Sequence, residues 1–264
     1  MRKKLTNAPV YYTVAQIRFN PVLDLDGYIP AIQSKMREAH FPDYKKEVFQ
    51  QLVLPFLGAE QGQTVAPTVT PQSRYLFGDI DERSLFLLDT NAISFQTTNY
   101  DTFETFSGTL LEGLGILHAA LRLDFVERIG LRYLDAVQPS KEGETLRDFL
   151  VPEVQGLALR GEGQLQHSVS ETVVSTFAGQ LVSRVLIRHG YIGLPVELGG
   201  GAPVIDPRFT QRESLHAIVD TDASIGHREA FELSKVGARL RLLHDEIVKS
   251  FDATVTDHAR ASWA

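Results

Sequence analysis

Two stretches of this chain read alike, and that constrains the fold more than any other feature. Leu117-His118-Ala119-Ala120-Leu121-Arg122-Leu123-Asp124-Phe125 agrees with Leu243-His244-Asp245-Glu246-Ile247-Val248-Lys249-Ser250-Phe251 at Leu, His, a branched aliphatic and Phe. Upstream, Leu88-Asp89-Thr90-Asn91-Ala92 echoes Val219-Asp220-Thr221-Asp222-Ala223, and Ile17-Arg18-Phe19 has a counterpart in Leu131-Arg132-Tyr133. The pieces recur in one order: an Arg-aromatic strand, an Asp-Thr strand end, a Leu-His helix. The expectation is an α+β half made twice, residues 1–125 and 126–264, the two forming one compact unit.

Composition narrows the class. With 264 residues, 43% hydrophobic and 22% charged, the chain has material for a sizeable core. It contains no cysteine, which excludes disulfides, thiolate catalysis and Cys-based zinc sites and fits a reducing cytoplasm. The basic start Met1-Arg2-Lys3-Lys4 leads into no apolar run, so no signal peptide is expected. No apolar stretch approaches the roughly 20 residues that span a bilayer. A net charge of −7 weighs against nonspecific nucleic-acid binding, which relies on neutralising phosphates.

Periodicity supplies the elements. Residues 10–19 read as a strand and 25–39 as an amphipathic helix with Pro30 in its first turn. Residues 47–56 suggest a short helix or turn, and 58–73 a loop. Residues 74–80 and 84–88 read as a hairpin, followed by a strand over 92–98. A long helix then starts at Asp101, whose spacing to Glu104 suggests a capping box. Phe103, Phe106, Leu110, Leu114, Leu117 and Leu121 form its apolar stripe, and Gly113 and Gly115 would let it approach a sheet closely. The second half gives a strand over 126–137, a helical turn at 146–151, a hairpin (164–177 and 181–189) turning at 178–180, and an irregular loop over 191–208. A strand over 214–221, a long helix from Leu233 to Phe251 and a helical tail at 256–263 follow. Antiparallel strands with helices on one face are the expected solution: a curved sheet gripped by two long helices.

Several segments carry a resemblance. They are the Asn7-Ala8-Pro9 start, the Phe41-Pro42-Asp43-Tyr44 helix exit, Thr97-Thr98-Asn99-Tyr100 before a helix, Leu131-Arg132-Tyr133-Leu134, and the C-terminal Leu243-His244 to Trp263 region. With these the chain resembles, over nearly its full length, a sporadically distributed family of uncharacterised bacterial proteins of about this size. Many relatives begin with Pro-Pro where this chain has Ala8-Pro9. The resemblance implies no activity, cofactor or catalytic residue. Its sporadic distribution implies a defence or toxin–antitoxin setting with a partner protein.

Side chains that could carry chemistry form few patterns. The eight histidines include no His-Glu-x-x-His and no His-x-His, so no metal site is expected. His118 and His244 occupy equivalent places in the two echoes and would face one another across a shared cleft; otherwise they are helix-flank histidines packed on the sheet edge. Arg128 and Arg132 lie on one side of one strand, Arg184 and Arg188 on one side of another, and Arg18 matches Arg132 in the echo. Such arginines either hold an anion, phosphate or carboxylate, or pair across strands with carboxylates such as Glu127 and Glu171. Asp220 and Asp222 share a side and either seat a cation, form an acid/base pair or shape a turn. Gly199-Gly200-Gly201 lacks the following Lys-Ser/Thr of a phosphate loop and reads as a plain loop.

No nucleophile elbow, metal motif or nucleotide loop is present. The leading expectation is therefore a noncatalytic partner-binding or regulatory protein without cofactor. The alternative is a binder or enzyme for a small anionic ligand held by Arg18, Arg128, Arg132, Arg184 and Arg188. Nucleic-acid binding by a curved sheet is the least favoured, given the acidic charge.

Overall fold

A computed structural model describes residues 6–53, 68–158, 160–161, 163–195, 198 and 201–264. Nine antiparallel strands form one sheet in the order β2-β3-β4-β5-β1-β6-β9-β8-β7. In chain order these are β1 (Val10–Phe19), β2 (Asp43–Val53), β3 (Thr68–Gly78), β4 (Ser84–Asp89), β5 (Ala92–Thr97), β6 (Phe125–Val137), β7 (His167–Thr176), β8 (Gly179–Gly190) and β9 (Ser214–Ala230). The helices are α1 (Ile29–Glu38), α2 (Phe103–Leu121), α3 (Leu146–Phe149), α4 (Pro152–Gln155), α5 (Pro207–Thr210), α6 (Leu233–Thr254) and α7 (Asp257–Trp263).

The first strands of the two halves, β1 and β6, lie side by side at the centre. Their inward residues Ala15, Ile17, Ile129 and Leu131 join Phe86, Ile93 and Phe95 beneath the stripes of α1, α2 and α6. These form one apolar core to which both halves contribute. A second cluster tucks α3 and α7 under the same face, where Phe149 and Trp263 pack on Val137, Val185 and Val219. The one-turn α5 departs from the expected one-sided layering. Its Phe209 packs on the opposite face with Tyr11, Tyr12, Leu134 and Ile218.

A bulge in β1 explains how two consecutive tyrosines reach that face. The pairing with β6 shifts between Val10 and Tyr12. An extra residue in one strand reverses side-chain alternation there. Tyr11 and Tyr12 thus join the cluster under α5, while Val10 turns to the helix side.

Several sequence expectations need correction. Residues 47–53 belong to strand β2, and 68–73 to β3, because the β2–β3 pair runs on from Asp43↔Gly78 to Val53↔Thr68. The rest of the expected segments, 54–56 and 58–67, lies outside the described residues. The β9 strand continues nine residues past Thr221. Ser224, Gly226 and their neighbours pair with β6 or β8 although they look polar in sequence. The cap of α2 is Thr102, whose side chain accepts from the Thr105 N–H, and Asp101 stands outside the helix. The β7–β8 turn is two residues, Phe177 and Ala178. The echoes also part locally: Phe125 opens β6 whereas Phe251 lies inside α6, and Asp89 ends β4 whereas Asp220 is mid-strand in β9.

Gly113 does bring α2 close to the sheet: a Cβ there would stand 2.4 Å from the buried Phe86 ring. Gly115 instead faces α6, near Leu233. Gly108, on the same helix, has open space around it. Gly108→Ala should therefore raise the unfolding free energy by up to about 1 kcal/mol, the usual helix-propensity gain. Gly113→Ala should lower it by about 1 kcal/mol or more through overpacking. Urea unfolding of both variants checks this, and a gain at Gly113 would contradict the close approach.

Candidate functional sites on the two faces of the sheet

Strand pairing places the predicted arginines together on the face away from the long helices. Arg18 is opposite Arg128, Arg132 is opposite Asp222, and Asp220 is opposite Arg184, which in turn faces Glu171. Arg188 follows at the end of β8. The echo matched Arg18 to Arg132, but its cross-strand neighbour is Arg128.

Two of these five cations, Arg132 and Arg184, are answered by carboxylates. Arg132 reaches diagonally to Asp220 with two parallel bonds, Nε–Oδ1 and Nη2–Oδ2, both 2.7 Å. This is a bidentate, charge-assisted pair, and both side chains are largely buried. Arg184 bonds Glu171 and stands 3.6 Å from Asp220. Arg74 pairs with Asp89 at 3.1 Å. Arg188 donates to the Tyr191 carbonyl at 3.1 Å, while its buried Nε has no partner. Arg128 lies across Gly130, where a Cβ would be 2.9 Å from its Nη1. Burial raises the Asp222 carboxyl above its usual range, against the pull of Arg128 and Arg132. Glu127, the other expected carboxylate partner, sits out of phase with these residues on β6. Arg18 and Arg128 alone among the five have no hydrogen bond or ion pair among the described residues.

Two shallow cavities open beside these arginines. One of about 230 Å³ is lined by Arg74, Asp89, Arg128, Arg132 and Asp222. The other, about 360 Å³, is lined by Tyr11, Arg132, Arg184, Arg188 and Asp220. The segment after β8 covers part of the face through Ile192, Leu194, Leu198 and Ile205. The Val204 backbone pins it, donating to Glu82 and accepting from Thr98. Gly201 is in a left-handed conformation, and Gly199 and Gly200 lie outside the described residues.

The two histidines do not face one another. Leu111 of α2 abuts Gly237 of α6, and Gly115 abuts Leu233, so the helices run antiparallel. His118 consequently stacks on Phe231 just ahead of α6, with ring centroids 4.3 Å apart. His244 stacks on Phe103 at the start of α2, at 4.1 Å. Each ring is held by the other helix's entry aromatic, at opposite ends of the helix pair.

His244 belongs to a constellation that sequence reading missed. Tyr133 donates to the Tyr100 hydroxyl at 3.1 Å, and His244 Nδ1 stands 3.3 Å from the Tyr133 oxygen. Two residues along β6 is Asp135, only 8% exposed, with no side-chain hydrogen bond among the described residues. These four groups line a cavity of about 280 Å³ between β6, the start of β1, the entry of α2 and the second half of α6. Burial, helped by the charge of Asp220, pushes the Asp135 carboxyl up to about 7. Burial pushes Tyr100 up to about 12 and Tyr133 well above its ordinary value. The signal was in the sequence: along β6, Ile129, Leu131, Tyr133, Asp135 and Val137 share the core-facing phase, and one of them is an acid.

Comparison with models of known protein families gives no match, and neither does comparison with curated proteins. No helix among the described residues is long and apolar enough to cross a membrane.

The Asp135 carboxyl yields a pH prediction. An acid with a raised folded-state pKa holds its proton more tightly folded than unfolded. The folded chain therefore carries the extra proton between about pH 4 and 7, and stability falls as pH rises through that window. Asp135→Asn removes the charge that must be buried. Its melting-temperature advantage over the parent should widen from about pH 4.5 to about pH 7.5, by on the order of a few kcal/mol in stability. A difference independent of pH would contradict the assignment.

Proposed function

We propose that this chain is a noncatalytic binding protein that receives an extended segment of a partner protein along β7. The observation that carries this reading is the asymmetry of the two sheet edges. At one edge, β2 displays Asp43, Lys45, Lys46 and Glu47, charges that discourage strand addition. At the other, β7 runs ten residues without lysine or proline. Val169, Val173, Val174 and, at the hairpin tip, Phe177 are exposed there. No backbone hydrogen bond reaches β7 from its outer side among the described residues. A ten-residue edge without lysine or proline, with valines exposed along it, suits β-augmentation, in which main-chain bonds supply affinity and alternate side chains supply selection.

The strand order is consistent with an ancestral duplication. It reads outward as β1-β5-β4-β3-β2 on one side and β6-β9-β8-β7 on the other, and the Phe/His stacking is reciprocal. On this reading the second half has one strand fewer, which brings the β7–β8 hairpin to the edge.

A second reading is favoured by one observation. Arg18 and Arg128, cross-strand neighbours without a carboxylate partner among the described residues, could grip a small anion beside the 230 Å³ cavity.

A photo-crosslinking residue placed at Val173, and for comparison at Lys45, separates these readings in cells. The edge reading expects one defined adduct from Val173, absent from Lys45 and abolished by Val169→Lys. Equal or absent adducts would overturn it. A small anion retained in native mass spectrometry and lost in Arg18→Ala/Arg128→Ala would decide for the second reading.

A further inference from the structure

The cavity around Asp135 has an unusual balance. It is lined by Asp135, a residue only 8% exposed, whose carboxylate has no hydrogen-bond partner among the described residues. An acid in so apolar a setting with no donor beside it is costly to ionise. The neighbouring polar groups do not answer it: Tyr133 is engaged with Tyr100, and His244 with Tyr133 and the Phe103 ring. Further in, Thr13 and Thr221 flank Tyr133 across the sheet, their buried hydroxyls also unpartnered. A patch of polar groups thus interrupts a core that is otherwise apolar.

Two acids, Asp101 and Glu104, stand at the mouth. Among the described residues Glu104 is paired with Arg241 at 2.8 Å, and that guanidinium is laid over Phe103. The N-terminus of α2 also opens here, and its positive end would favour an anion. It is already met by the Thr102 cap and by Glu104 in its first turn. The walls are aromatic and aliphatic: Tyr100, Phe103, Phe251, Ile247 and Val10. Val10 stands among them because the β1 bulge turns it to this side, directly beside Asp135 in the sheet.

From this we infer that the cavity is a binding site for a small primary ammonium ion carried on an apolar stem. The ammonium supplies the donors that Asp135 lacks, the π-faces of the tyrosines favour a cation, and the stem lies along Ile247 and Phe251. A space of about 280 Å³ admits a group the size of a lysine side chain or a short alkylamine. The site is on the face opposite the arginines and does not depend on the edge-strand reading.

Calorimetric titration with hexylammonium, hexanol and hexanoate tests the inference on the full chain. Hexylammonium should bind at least tenfold more tightly than either analogue and raise the melting temperature. Asp135→Asn should lose that preference while remaining folded. Tyr100→Phe, which keeps the wall and removes one hydroxyl of the network, should weaken binding by a smaller factor and so report independently of Asp135. Two sources of the ammonium are separated by repeating the titration with Nα-acetyl-lysine amide. Tighter binding of the lysine derivative assigns the site to a protein side chain, and tighter binding of hexylammonium to a free amine. Lys3 and Lys4 precede the Ala8 and Pro9 that line the mouth. Tighter binding after Lys3→Ser/Lys4→Ser would identify the chain's own lysines as competitors for the same site. Equal binding of hexanol, or full retention of hexylammonium binding in Asp135→Asn, would overturn the proposal.

Discussion

The antiparallel pairing of β1 with β6 is the interaction on which the rest of the structure depends. It joins the opening strands of the two halves, from Tyr12↔Leu134 to Arg18↔Arg128, and makes one sheet of what would otherwise be two. Each partial sheet alone would present a long apolar face and an unguarded central edge. Joined, they give α2 and α6 a continuous floor, and the helices bury Leu110, Leu114, Leu240 and Leu243 against it. The bulge at Tyr11 belongs to the same pairing. It sends two tyrosines to one face and Val10 to the other, and so shapes both the covered outer cluster and the Asp135 cavity.

The two faces follow different electrostatic rules. On the outer face, Arg132 and Arg184 meet Asp220 and Glu171 across strands, so part of that charge is spent internally, while Arg18 stands opposite Arg128. Charge that is already paired makes a poor electrostatic trap for polyanions, consistent with a net charge of −7. On the helix face, an apolar core is interrupted by Tyr100, Tyr133, His244 and Asp135. There Asp135 lines a cavity with no hydrogen-bond partner among the described residues, and the inferred ligand on that side carries positive charge.

Much of this was legible in the sequence. Period-2 and helical patterns located β1, β4 to β6, α1, α2, α6 and α7 closely, because each has one strongly apolar face. The four-residue spacing of Arg128/Arg132 and Arg184/Arg188 placed them on single faces, and strand order brought those faces together. What could not be read depends on pairing partners. β2 and the far end of β9 are polar segments held as strands by neighbours, not by their own burial, so local pattern misassigned them. The histidine echo suggested a shared cleft, but the antiparallel helix packing sends the rings to opposite ends. Asp135 was visible as an acid in the buried phase of β6, yet its meaning required Tyr100 and His244, which come from other elements.

Native-state hydrogen exchange of the full chain tests the central role of the β1–β6 pair most directly. If that pair makes one cooperative unit, core amides of β1, β5, β6 and β9 exchange only by global unfolding, with one common free energy and one denaturant dependence. A lower free energy shared by β3, β4 and β5, or by β8 and β9, with β1 or β6 opening alongside, would contradict it: the halves would then be separate folding units that merely touch.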